Sequence, residues 1–135
     1  MRVLLADDHE VVRAGLCKLL ESRHDIEVCG QAANGQQAVD QARELKPDLI
    51  ILDITMPVLS GLAAAKEIRN ILPATPILFL SMHDGSALKE AAKAAGGQGF
   101  VGKNEVSGTL LKAIDALSQN KTFWPQGSIK VLGQF

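Results

Sequence analysis

The chain is expected to fold as one α/β domain, a doubly wound (βα)5 arrangement in which a parallel sheet is covered by helices on both faces. Three observations predict this. Short apolar runs alternate five times with longer stretches of helical periodicity. At 135 residues, 47% of them apolar, the chain can fill a core between one sheet and its helices. Four of the runs end on residues that phosphoryl chemistry can use: Val3 to Ala6 on Asp7-Asp8, Leu49 to Leu52 on Asp53, Ile77 to Leu80 on Ser81, and Phe100 to Gly102 on Lys103. If the runs are parallel strands, those ends share one sheet edge, where open α/β folds place their ligands.

The elements follow in order. Arg2 to Ala6 is the first strand, and Glu10 to Ser22 a helix whose three- and four-residue spacing turns Val12, Leu16, Leu19 and Leu20 inward. Ile26 to Gln31 is the second strand. Asn34 can cap a helix over Gly35 to Leu45 that exposes Gln36, Gln37 and Gln41, and Pro47 blocks its continuation. Asp48 leads into the third strand. Ser60 suits the cap of a helix over Gly61 to Leu72, with Ile68, Ile71 and Leu72 inward and Pro73 and Pro76 marking its exit. Ile77 to Leu80 is the fourth strand. Asp84 or Ser86 starts an alanine-rich helix ended by Gly96-Gly97, and Phe100 to Gly102 is a short fifth strand. The last helix, Glu105 to Gln119, turns Val106, Leu110, Leu111, Ile114 and Leu117 inward. Residues 1–120 are thus the domain, and 121–135, which lack a period, read as a linker or C-terminal tail.

Charge narrows the partners. With 14 Lys+Arg against 15 Asp+Glu the net charge is -1, so no basic field draws this segment to nucleic acid or to an anionic membrane. Cys17 and Cys29 have no metal-ligand spacing and read as reduced, buried packing residues. No apolar run reaches the ~18 residues of a membrane span and the first residues carry no signal-peptide pattern, so the cytoplasm is the expected compartment.

If the first and third strands are neighbours, about 4.8 Å apart, Asp7, Asp8 and Asp53 crowd one pocket. Carboxylates at about 4 Å repel by about 4 kcal/mol at an effective dielectric near 20, so the cluster must protonate, bind a cation or separate. Oxygen-only ligands favour Mg²⁺ or Mn²⁺, and Mg²⁺ commonly shares its shell with phosphate oxygens. An aspartate there can attack phosphorus and form an aspartyl phosphate, with Lys103 neutralising the transferring group and the Ser81 hydroxyl donating to it. Singly, each residue has a plainer reading: Asp7 and Asp8 as helix caps, Asp53 as a loop acid, Ser81 as a strand-end hydroxyl, Lys103 as a solvated lysine. Their joint recurrence at strand ends favours the site.

Over residues 1 to 120 the pattern resembles the receiver domains of two-component response regulators. The acid pair Asp7-Asp8, the run Asp53-Ile54-Thr55-Met56-Pro57 with Gly61 following, the hydroxyl of Ser81 and Lys103 carry the resemblance. It implies the flavodoxin-like receiver fold, with five parallel strands in the order 2-1-3-4-5. It implies Asp53 as phosphoacceptor, and Mg²⁺ (or Mn²⁺) held by Asp8, Asp53 and the Thr55 backbone carbonyl, with Asp7 helping through water. Ser81 and Lys103 would bind the phosphoryl group, and Ser81 with Phe100 would form the switch. Thr55 and His83 would tune the lifetime of the aspartyl phosphate. The run Asp7-Asp8-His9-Glu10-Val11-Val12-Arg13-Ala14-Gly15-Leu16 is similar to the NarL/FixJ-type branch. That likeness implies a sensor histidine kinase as donor, a LuxR-type helix-turn-helix output domain in a longer transcription regulator, and a homodimer formed on phosphorylation; a stand-alone receiver is the alternative. Two positions depart from the pattern. Asn104 stands where many receivers have a cis proline, which leaves that loop's geometry open. Ser81 stands for the commoner threonine, keeping the hydroxyl but loosening its coupling to Phe100.

Other signals carry less. Gly97 to Gly102 spells G-x-G-x-x-G but runs into a strand instead of opening a helix. His9 reads as a helix-start residue with its ring partly exposed, and Lys89 and Lys93 as a solvated helix face. The competing functions are a pseudo-receiver or protein-interaction module, a Mg²⁺ phosphatase with an aspartate nucleophile, and a flavodoxin-like carrier. A haloacid-dehalogenase-type phosphatase carries a second acid two residues past its nucleophile, where this chain has Thr55. The expected role is therefore a switch that accepts and loses its own phosphoryl group, not an enzyme with a free substrate. A flavin carrier needs a Ser/Thr/Gly-rich phosphate loop, and Asp7-Asp8-His9-Glu10 would repel a flavin phosphate.

Overall fold

Five parallel strands, in the spatial order β2-β1-β3-β4-β5, form the single sheet of the computed structural model, which describes residues 1–83 and 85–125. The strands are β1 (Arg2–Ala6), β2 (Glu27–Ala32), β3 (Leu49–Asp53), β4 (Ile77–Ser81) and β5 (Gly99–Gly102). The helices are α1 (Glu10–Glu21), α2 (Gly35–Leu45), α3 (Gly61–Ile71), α4 (Ser86–Ala94) and α5 (Val106–Ser118), with a 3-10 turn at Lys103–Glu105 before the last.

Every residue of β3, β4 and β5 is buried, as continuous apolar runs in a two-sided parallel sheet require. Alternate side chains serve two cores. Leu4, Ile50, Leu52, Ile77, Phe79 and Phe100 meet Val39 of α2, Ile68 of α3 and Ala92 of α4 on one face. Val3, Leu5, Ile51, Leu78, Leu80 and Val101 meet Leu16 and Leu20 of α1 and Leu110 and Ile114 of α5 on the other. The predicted caps form: Asn34 accepts from the Gln37 N–H and Ser60 from the Ala63 N–H. Lys46, at φ 47°, ends α2 ahead of Pro47, and Gly96, at φ 97°, turns the chain out of α4 as only glycine does without strain.

The structure corrects several expectations. Val12 is exposed, because the first turn of α1 follows directly on the Asp7–His9 loop and the inward stripe starts one turn later at Leu16. Cys17 and Cys29 are free thiols that are half-buried, not buried, and burial pushes both above the usual thiol range. Helix α4 starts behind Gly85 with no side-chain cap, and the alternative cap at Asp84 lies outside the described residues. Lys89 and Lys93 are not merely a solvated face: Lys89 donates to the Pro125 carbonyl, and the Lys93 Nζ lies 5.2 Å from the Trp124 ring centre. The first residues of the expected tail are ordered against β5, where Phe123 makes a parallel bridge to Gly99. The Lys103–Asn104 peptide is trans, as are all peptides among the described residues.

Candidate functional site

The strand order makes β1 and β3 neighbours, then β4 and β5, so Asp7-Asp8, Asp53, Ser81 and Lys103 emerge along one sheet edge. Asp7 is wholly buried just past β1. Its N–H donates to the Ala32 carbonyl, its carbonyl accepts from Arg13 Nη1 at 2.7 Å, and its Oδ1 accepts from the His9 N–H at 2.9 Å. Neither acid caps α1, because His9 is the N-cap residue and makes no side-chain cap. Asp8 lines the cavity at this edge, and Asp7 is buried. Ligand atoms of Asp7, Asp8, His9 and Asp53 all lie within 4.8 Å of one another.

Asp53, the last residue of β3, accepts from Lys103 Nζ at 2.8 Å on Oδ2 and from the Thr55 N–H at 3.3 Å on Oδ1. The same ammonium lies 3.0 Å from Asp7 Oδ2, with its side chain only 7% exposed. One lysine thus bridges two buried aspartates while a third acid stands beside them, and carboxylates outnumber the ammonium between them. Burial pushes the Asp53 carboxyl above the usual aspartate range and the Asp7 charge adds to this, although Lys103 pulls it down. Burial works the other way on Lys103, but hydrogen bonds and charge from Asp53 and Asp7 outweigh it and hold the ammonium above the usual lysine range.

Asp7 Oδ2 and Asp8 Oδ1 are buried without a well-formed hydrogen bond, although Lys103 Nζ stands 3.0 Å from the first and His9 Nδ1 3.3 Å from the second. Buried carboxylate oxygens left this way are costly, and a hard divalent cation bound by oxygen would satisfy them. The donor set therefore fits Mg²⁺ or Mn²⁺. His9, whose ring is 63% exposed and lies 3.3 Å from Asp8 Oδ1, adds the one nitrogen to the group. A cavity of about 280 Å³ opens over the cluster, lined by Asp8, His9, Asp53, Thr55, Met82, His83 and Lys103.

Ser81 is buried at the end of β4, and its Oγ accepts from the His83 N–H at 3.0 Å, so the hydroxyl oxygen is engaged with its own loop. Phe100 is buried with its ring 5.7 Å from Lys89 Nζ. Two residues at the start of α1 join the site. Arg13, which also donates to Gln31 Oε1, pins the carbonyl of Asp7 from α1, and His9 joins the acids. His9, which the sequence sets beside the acid pair as a helix-start residue, is the N-cap of α1 as expected, whereas nothing in the sequence marks Arg13. Val58, exposed on the β3–α3 loop, holds φ 69°, a strained conformation for a β-branched residue.

The family model for the response regulator receiver domain matches residues 3–115. LnrK, a transcriptional regulatory protein of Bacillus subtilis, is 37% identical over 114 residues, which is 84% of this chain and 52% of that protein. The oxygen regulatory protein NreC of Staphylococcus aureus is 36% identical over 124 residues, 91% of this chain and 57% of that protein. This chain therefore spans about half the length of those relatives. Among solved structures, a LuxR-family two-component response regulator from Aurantimonas sp. SI85-9A1 superposes with a TM-score of 0.87 at 36% identity, covering 90% of this chain and 87% of that one. The chain belongs to the response regulator receiver domain family, in the branch of NarL- and LuxR-type regulators.

Proposed function

We propose that Asp53 is the phosphoacceptor of this receiver. A carboxylate oxygen of Asp53 forms a bond to the donor phosphorus as the bond from phosphorus to the leaving group breaks, and the product is an aspartyl phosphate. One observation carries the reading: a buried Asp53 paired to Lys103, in one cluster with the Asp7 and Asp8 carboxylates, so that a single ammonium serves three acids. Lys103 would pass from the Asp53 oxygen to the transferred phosphoryl group, following the charge it neutralises. Asp8, Asp53 and the Thr55 carbonyl would hold Mg²⁺ (or Mn²⁺), with Asp7 acting through water. The ion supplies charge neutralisation for the phosphoryl oxygens. Ser81 would give up its contact with His83 to donate to the phosphoryl group, with Phe100 following as the switch, while Thr55 and His83 set the access of water. A sensor histidine kinase in the cytoplasm would be the donor. A helix-turn-helix domain of the full-length protein would be the output, with homodimerisation on phosphorylation.

Intact-mass measurement after incubation with acetyl phosphate tests this. With Mg²⁺ the chain should gain one phosphoryl group, and with a chelator none. A folded chain that gains none under either condition overturns the reading in favour of a pseudo-receiver acting through protein contacts alone.

A further inference from the structure

After α5 the chain doubles back along the open edge of β5, the last strand of the sheet. The Phe123 N–H donates to the Gln98 carbonyl at 2.9 Å, and the Phe100 N–H donates to the Phe123 carbonyl at 2.9 Å. Trp124 then packs on the core cluster that holds Phe79, Ala92 and Phe100. Helix α4 grips the same segment from the other side. Lys93 Nζ stands 5.2 Å from the Trp124 ring centre, and Lys89 donates to the Pro125 carbonyl at 3.1 Å while lying 5.7 Å from the Phe100 ring centre. Residues 122–125 are therefore a strap fastened to β5 by its backbone and to α4 by two lysines.

The two fastenings differ in strength. Helix α4 buries only Ala92 completely, whereas α2, α3 and α5 each bury four residues. Among the described residues no side chain caps its start, which is true of α1 and α5 as well. Few buried apolar contacts mark an element of low local stability, one that can shift without unfolding the rest. The loop leading into α4 is held at its origin by the bond from the His83 N–H to Ser81 Oγ. A phosphoryl group on Asp53 that drew the Ser81 hydroxyl toward it would release that bond, and α4 could move relative to β5. Such movement cannot keep both fastenings of the strap.

We propose that the strap of residues 122–125 is a built-in reporter of the state of Asp53: docked on β5 and α4 without phosphate, and loosened when Asp53 carries a phosphoryl group. This rests on Asp53 being the acceptor. It gives the residues that follow the receiver a direct mechanical link to the site. Trp124, Lys89 and Lys93 become the transmitting contacts, and the β5 edge is uncovered in the phosphorylated form.

Trp124 is the chain's single tryptophan, so its fluorescence reads the strap without labelling. Beryllofluoride with Mg²⁺, an analogue of a bound phosphoryl group, should move the emission to the red and raise quenching by acrylamide in the wild type, with no change in Asp53→Asn. Linkage is reciprocal, so loosening the strap must favour the analogue. The double variant Lys89→Met, Lys93→Met should start red-shifted and bind beryllofluoride about five-fold or more tighter, the lower end of ordinary couplings between sites. A phosphoryl adduct proven by mass with Trp124 emission and quenching unchanged overturns the strap alone, as does a double variant that binds no tighter. Absence of any adduct overturns the assignment of Asp53, and the strap with it.

Discussion

Lys103→Met is expected to cost about 3 kcal/mol of stability at neutral pH, because removing one partner of a buried ion pair leaves the others uncompensated. Lys103 bridges two such partners, Asp53 at 2.8 Å and Asp7 at 3.0 Å, and no second lysine or arginine side chain among the described residues pairs with either. Methionine keeps the length and apolar stem, so the loss reports charge and not packing. The pH dependence has a definite sign. A carboxyl whose folded pKa lies above its unfolded one binds protons better in the folded state, so its contribution falls as pH rises from the ordinary aspartate range through the raised value. Asp53 is already raised with Lys103 present, and losing that partner raises it further. The gap between variant and wild type should therefore be widest near neutrality and narrow as the pH falls through the raised value toward the ordinary aspartate range. Lys103, raised in the wild type, stabilises fully below the ordinary lysine value and loses that contribution as pH rises through its raised one, so the variant should lack this alkaline decline. Phosphoryl acceptance should fall by about a hundred-fold or more, the scale of losing one electrostatic stabiliser of a transition state. Denaturant unfolding across pH, beside the rate of adduct formation, measures both. Equal stability of variant and wild type at neutral pH would contradict the pairing as described.

Gly61→Ala should be nearly as damaging, by a different route. A Cβ at Gly61 would press into the backbone carbonyl oxygen of Asp53 and lie 2.9 Å from the Ile54 Cα, and backbone cannot rotate aside as a side chain can. The same glycine donates its N–H to the Ile54 carbonyl at 2.8 Å, so the start of α3 and the end of β3 are in direct backbone contact. Overpacking against fixed atoms costs about 3 kcal/mol, and here the atoms that must move carry the proposed acceptor. Acceptance of a phosphoryl group should fall at least about ten-fold, since displacement of a reacting group by about 1 Å is enough for larger losses. Gly15→Ala, in exposed α1 with no atom within 4 Å of the new Cβ, is the contrasting case and should stabilise by about 0.5–1 kcal/mol. If the two substitutions behave alike, backbone contact at Gly61 is not what holds the site.

Much of this site was legible because its residues sit where chemistry and fold coincide, at the ends of buried runs. Asp7-Asp8, Asp53 and Lys103 could be placed on one edge from alternation alone, and the sheet order 2-1-3-4-5 puts them there. What one lysine does between two aspartates was not legible, since spacing along the chain carries no distance across the sheet. Val12 was misplaced because a helical stripe does not reveal which of its turns has a sheet beneath it. The strap was missed for a deeper reason. An edge segment held by backbone hydrogen bonds needs no period, and one tryptophan facing two lysines looks in sequence like an aromatic in a tail and a pair of solvated charges.

The most direct measurement is to locate the phosphoryl group. Borohydride reduces an aspartyl phosphate to homoserine and so marks the acceptor covalently; peptide mass mapping after acetyl phosphate and Mg²⁺ then reads its position. Homoserine at position 53, absent from Asp53→Asn and from chelator-treated protein, is the predicted result. Homoserine at position 7 or 8, or none in a chain that has gained the phosphoryl mass, would contradict Asp53 as the acceptor.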